Sequence, residues 1–97
     1  MPSARAADVD PACVPRLRPG VRLRTVGPDS VLLVPEGVVN LSATAGAIVA
    51  AIDGSRSVAD IVALMADRFD TQGVDAAEDV SDLLGRFSDH AWIAIEQ

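Results

Sequence analysis

The sequence predicts an α+β fold with strands first and helices after. Between residues 21 and 41 the apolar residues alternate or run together, and Gly and Pro break the runs. From residue 42 onward they recur every three or four residues, and each run opens on a Ser or Asp suited to cap a helix. The chain has 97 residues, 49% of them apolar, enough for one domain with a modest core.

Residues 1–15 mix Ala, Asp, Pro and Ser without periodicity and are expected to form a flexible tail, leaving 16–97 as a single domain. Val21-Arg22-Leu23-Arg24-Thr25-Val26 alternates as a half-buried strand does. Gly27-Pro28-Asp29 is a turn. Val31 to Val34 are four consecutive apolar residues, the pattern of a middle strand covered on both faces. Pro35-Glu36-Gly37 reads as a three-residue hairpin loop, with Gly where a positive φ is needed. Val38 to Leu41 is a third, short strand. In such a meander the first and third strands lie at the edges.

The first helix is expected within Leu41 to Gly54, with Ser42 as N-cap and Gly54 just past its end. Leu41, Ala45, Ile48, Val49 and Ile52 share one face, and no charge appears before Asp53, so this helix should be buried on most sides. The second begins at Ser57, where Ser57-Val58-Ala59-Asp60 has capping-box spacing. Its stripe is Val58, Ile61, Val62, Met65 and Phe69. Asp70 to Val74 is a loop, and a third helix runs from Asp75 to about Ser88. Trp92 to Ile95 is a short closing strand or an extended tail. Three strands in an antiparallel meander followed by three helices make a winged-helix-like arrangement.

The third helix divides into three faces at about 100° per residue. Ala76, Val80, Leu83, Leu84 and Phe87 form an apolar stripe. Asp75, Glu78, Asp79, Asp82, Arg86 and Asp89 share a charged face. Between them lies a row of small residues, Ala77, Ser81, Gly85 and Ser88. A mid-helix Gly costs roughly 1 kcal/mol against Ala, so the row needs a reason. Either it packs closely on another part of the domain, or it lets an extended chain approach the helix.

Charge and motifs exclude much. The first 24 residues carry a net +3 and the remainder −9, together the net −6 of the chain. An acidic body repels a phosphate backbone, so nucleic acid is an unsuitable partner. No apolar run approaches the ~18 residues of a membrane span, and no hydrophobic segment follows Arg5 as in a signal peptide. Cys13 is the only cysteine, which excludes an internal disulfide and a cysteine metal cage; a reducing cytoplasm is the expected setting. No catalytic constellation, metal motif or cofactor loop is present, and His90, the only histidine, reads as a surface or packing residue. Trp92 reads as a core plug.

An ordered set of residues then carries a resemblance: Arg18-Pro19-Gly20-Val21-Arg22-Leu23, Leu33-Val34-Pro35-Glu36-Gly37, Leu41-Ser42-Ala43-Thr44-Ala45, Asp53-Gly54, Asp79-Val80 and Trp92-Ile93. Over roughly residues 16–95 the chain resembles the PqqD family, the small peptide chaperones of pyrroloquinoline quinone biosynthesis. It departs from the family at Ser42, where Asn is usual; both residues cap helices well. The resemblance implies a protein that is not an enzyme and needs no cofactor. It implies binding of the precursor peptide PqqA and its presentation to the radical S-adenosylmethionine enzyme PqqE. Related domains bind a leader segment as an added strand over the third helix. That implies a peptide site at Val38, Val39, Asn40 and Leu41 with Ala77, Ser81, Leu84, Gly85 and Ser88. Enzyme docking is expected on one of two oppositely charged faces, Arg22 with Arg24 or Asp79 with Asp82. Two alternatives share the architecture. A DNA-binding winged helix should have a basic recognition helix, whereas this third helix carries five acids and one Arg. A plain structural or dimerisation module would bind no peptide; separately, a short hairpin arm leading into a helical body can swap between two copies, which leaves the oligomeric state open.

Overall fold

The computed structural model describes residues 11–26, 29–69 and 73–96. Five strands and three helices follow in the order β1 (Val14–Leu17), β2 (Arg22–Val26), β3 (Asp29–Val34), β4 (Gly37–Leu41), α1 (Ala43–Ala50), α2 (Val58–Arg68), α3 (Gly73–Asp89) and β5 (Ile93–Glu96). The antiparallel meander is β2-β3-β4, with β2 and β4 at its edges. The expected α+β meander followed by three helices is therefore present. The expected tail, however, ends too late. Val14 and Pro15 already belong to β1, which pairs antiparallel with β5 in a second, two-stranded sheet. Residues 1–10 of that expected tail lie outside the described residues, as do Gly27 and Pro28 of the first turn.

The segment before β1 is tied to α2. The carbonyls of Cys13 and Pro11 accept from the N–H groups of Val58 and Ala59 at 2.8 and 2.9 Å. These are first-turn donors that no residue within a helix can satisfy. Ser57 completes the cap as its sequence predicts. Its hydroxyl accepts from the Asp60 N–H, and the Asp60 carboxylate accepts from the Ser57 N–H.

Register sorts the meander into two faces, because directly opposed residues share one. Leu23, Leu32 and Val39 are opposed, and so are Thr25, Ser30 and Leu41. Leu32 and Val34 are buried, and Leu23, Val39 and Leu41 pack against the core. α1 lies on this inner face. A Cβ on Gly46 would stand 2.8 Å from Ser30 Oγ, so the helix approaches β3 at a distance only glycine permits. The outer face carries Arg22, Leu33 and Val38, then Arg24, Val31 and Asn40. Val31 and Leu33 are half-buried and stand apart from the core. The expectation that both faces of the middle strand are covered fails: the described chain covers one.

Smaller differences have local causes. Val34 pairs with Gly37, so Pro35-Glu36 is a two-residue turn rather than the expected three-residue loop; Gly37 does take positive φ, 148°. α1 is capped by Ser42, whose hydroxyl accepts from the Ala45 N–H, but it stops at Ala51, not at Gly54. Gly54, at φ 80°, belongs instead to a turn organised by Asp53. One carboxylate oxygen of Asp53 accepts from the N–H groups of Ser55 and Arg56, both at 2.9 Å. Those two bonds, Arg56 first, hold the Asp53 carboxyl below the usual Asp range. Phe69, placed on the α2 stripe by its spacing, lies just past the helix and is 39% exposed. α3 begins at Gly73, inside the expected 70–74 loop, whose residues 70–72 lie outside the described residues.

The core joins the sheet to all three helices through Leu32, Ile48, Val49, Ile61, Met65, Val80, Leu83, Leu84 and Ile93. α3 packs on α2 and on β5. Its C-terminal end is closed by a Schellman motif. The Trp92 N–H donates to the Phe87 carbonyl and the Ala91 N–H to the Ser88 carbonyl, both at 2.9 Å. Ala91 takes the left-handed position at φ 61°, where Gly is the usual residue. The hydrophobic contact of the motif is the edge-to-face pair of Phe87 and Trp92, 5.3 Å between ring centroids. His90 stacks on the same indole at 4.4 Å, and the indole N–H donates to Glu36 at 3.3 Å. Trp92 is half-buried against the core.

Candidate functional site

The meander ends at β4, and among the described residues no strand pairs with its outer edge. A strand in that position presents unpaired N–H and C=O groups. Beside it a cleft opens toward α3. Its middle is a cavity of about 190 Å³ lined by Val39, Asn40, Leu41, Ser42, Ala45, Leu83, Arg86 and Phe87. It continues past the end of β4 into a second cavity of about 260 Å³, which adds Thr44, Ile48, Asp79 and Asp82. Ser42, Ala45, Leu83 and Arg86 line both.

Each wall has a local origin. The hairpin turn sets β4 against β3, and the Ser42 cap starts α1 directly after Leu41, so strand edge and helix N-terminus meet at one end of the cleft. α3 supplies the opposite wall. Its Leu83 and Phe87 come from the apolar stripe, while Asp79, Asp82 and Arg86 come from the charged face. The cleft thus runs along the border between two faces of an amphipathic helix. Among the described residues, none of these three charged side chains forms an ion pair. Nor do any three His, Cys, Asp or Glu side chains gather where a metal ion could sit.

The expected site residues divide. Val39, Asn40 and Leu41 line the cleft, and Asp79 and Asp82 line its wider end. Val38 sits on the outer face of β4, 63% exposed, in register with Leu33 and Arg22. The small row of α3 does not floor the cleft. Of the row, Ser81 is 4% exposed, Gly85 is buried, and Ala77 and Ser88 are half-buried, while Leu84 of the apolar stripe, also expected in the site, is buried. None of the five is a lining residue. Ser81 and Gly85 belong to the side of α3 turned into the molecule. Leu83, Arg86 and Phe87 line the cleft instead. Arg22 and Arg24 lie exposed on the outer sheet face.

The chain is also similar to known proteins. Residues 29–93 match the family described as Coenzyme PQQ synthesis protein D (PqqD). A PqqA binding protein of Azotobacter vinelandii is 39% identical over 85 residues, 84% of this chain and 90% of that one. The PqqA binding protein of Pseudomonas aeruginosa is 40% identical over 86 residues, 86% of this chain and 91% of that one. A solution structure of the PqqD part of Methylobacterium extorquens PqqCD superposes with a TM-score of 0.74 at 26% identity, covering 95% of each chain. That protein is described as a functional, stand-alone recognition element for ribosomally synthesized and post-translationally modified peptides. With two thirds of its length matched by the family and curated relatives near 40% identity, the chain belongs to the PqqD family.

Proposed function

We propose that this protein binds the precursor peptide PqqA as a strand added along β4 and presents it to the radical S-adenosylmethionine enzyme PqqE. The family is one of peptide-binding proteins rather than enzymes. The observation that carries the reading is the free edge of β4 beside a cleft walled by α3. Strand addition takes affinity from main-chain hydrogen bonds and specificity from side-chain pockets, and the cleft offers both. The peptide site is Val39, Asn40 and Leu41 with Leu83, Arg86 and Phe87, and the outward Val38 contributes its backbone. Titration of the labelled protein with PqqA should shift the resonances of these residues and slow hydrogen exchange at alternate β4 amides. Shifts confined to β1 and β5 would dismiss the cleft.

PqqE docks on the outer face of the meander in this reading. Val31 and Leu33 stand apart from the core there, Val38 is exposed, and Arg22 and Arg24 flank them. The Val31–Val34 run asks for two covered faces, and a partner supplies the second. Asp79 and Asp82, the other expected docking pair, fall to the peptide cleft. Reversing Arg22 and Arg24 to Glu should weaken enzyme binding at low salt, since rim charges act on association rate, while PqqA binding stays unchanged. Equal enzyme binding by the variant would move the docking surface elsewhere. Without peptide, the same β4 edge is open to pairing with a second copy, which sedimentation across a concentration series would reveal. Among the described residues no helix is long and apolar enough to cross a membrane, and the cytoplasm, where the precursor is made, is the proposed location.

A further inference from the structure

The cleft has a charge pattern as well as a shape. Of the residues lining its two cavities, only Asp79, Asp82 and Arg86 are charged. The remainder are apolar or neutral. Arg86 borders both cavities, whereas the two acids border only the one beyond the end of β4. Positive charge therefore sits at the middle of the cleft and negative charge at one end.

These charges are available to a ligand. Asp82 and Arg86 are four residues apart on one helix, a spacing at which opposite charges commonly pair. They form no ion pair here, and neither does Asp79, among the described residues. All three are solvent-exposed.

Their spacing also matches an extended chain. At about 1.5 Å per residue, Asp82 and Arg86 are offset by about 6 Å along the helix axis. Side chains on one face of a strand recur about every 6.8 Å, two residues on. A strand added along β4 that also runs along α3 spans the step from Arg86 to Asp82 in one two-residue step.

Resting on the peptide-holding reading above, the geometry points to a charge register in the ligand. The bound segment carries an acidic side chain over Arg86 and, two residues away on the same face, a basic side chain over Asp82 and Asp79. Its remaining inward side chains are apolar and lie against Leu83 and Phe87. The order of the two charges reports strand direction. A segment antiparallel to β4 enters at the Leu41 end and has the basic residue first; a parallel segment has the acidic residue first. A segment with its charges exchanged sets like against like at both positions and is rejected, so the pair determines specificity.

Calorimetry with the full chain and synthetic PqqA tests this, with circular dichroism melts to verify that each exposed-residue variant remains folded. Arg86→Glu should weaken binding of the natural peptide at least tenfold, and Asp82→Lys by a similar factor. A scan replacing each charged peptide residue by its opposite should find one acid-to-Lys peptide that restores binding to Arg86→Glu. It should also find one base-to-Glu peptide that restores binding to Asp82→Lys, and those two peptide positions should be two residues apart. Undiminished binding of natural PqqA by Arg86→Glu overturns the register while leaving the peptide-holding reading intact. Absence of rescue, or rescue at positions not two apart, does the same. A wild-type chain that binds no PqqA overturns both.

Discussion

The two long sides of α3 are built from neighbouring residues and do opposite things. One side holds Ser81, Leu84 and Gly85, buried where the helix packs into the molecule. The other holds Asp79, Asp82 and Arg86, exposed along a cleft. A row of small residues is legible as a place of close approach. The row itself does not say what approaches. Here Ser81 and Gly85 are buried, and the open side is the edge where Leu83 and Phe87 give way to charge. In an amphipathic helix that border, more than the smallest side chains, marks where a ligand finds both apolar contact and a distinguishing charge.

Substitutions can break this contrast. Leu84 is fully buried, so Leu84→Ala should cost about 2–5 kcal/mol, a large share of the stability of a domain this size; urea unfolding would measure it. A stability loss below about 1 kcal/mol would mean that the inward side is not tightly packed. A sharper comparison places the same side chain on both sides. Gly85→Leu on the buried side should destabilise by about 1–3 kcal/mol through overpacking. Arg86→Leu on the cleft side should stay within about 0.5 kcal/mol of the parent. Equal unfolding midpoints for the two would erase the distinction. The smallest effect is at the shared end of the helix. Ala91→Gly relieves a left-handed Ala and should stabilise by about 0.5–1 kcal/mol. Because Ala91 lies beyond both sides, combining it with either Leu substitution should shift both midpoints by the same amount.

Much of the fold follows from local pattern. The stripe Val58, Ile61, Met65, the Ser42 cap and the capping box at Ser57 fix α1 and α2, because caps and a 3.6-residue period act over a few residues. β1 left no such trace. It is four residues long, contains Pro15, and its partner β5 lies at the far end of the chain. Pairing across that separation imposes no local period, and the first two residues of the strand fall within the expected tail. The site shows the same division. The edge position of β4 could be read from strand order alone. The lining by Leu83, Arg86 and Phe87 depends on how α3 is rotated about its axis, which packing against α2 and β5 decides.

The indole at the end of α3 has a practical consequence. Trp92 is the only tryptophan, and the chain has no tyrosine. Near-ultraviolet emission therefore comes from one ring. That ring touches Phe87, a wall of the cleft, and is hydrogen-bonded to Glu36 in the turn that launches β4. The protein thus carries its own optical probe, wired to both walls of the cleft, and its emission reports on their spacing without any attached dye.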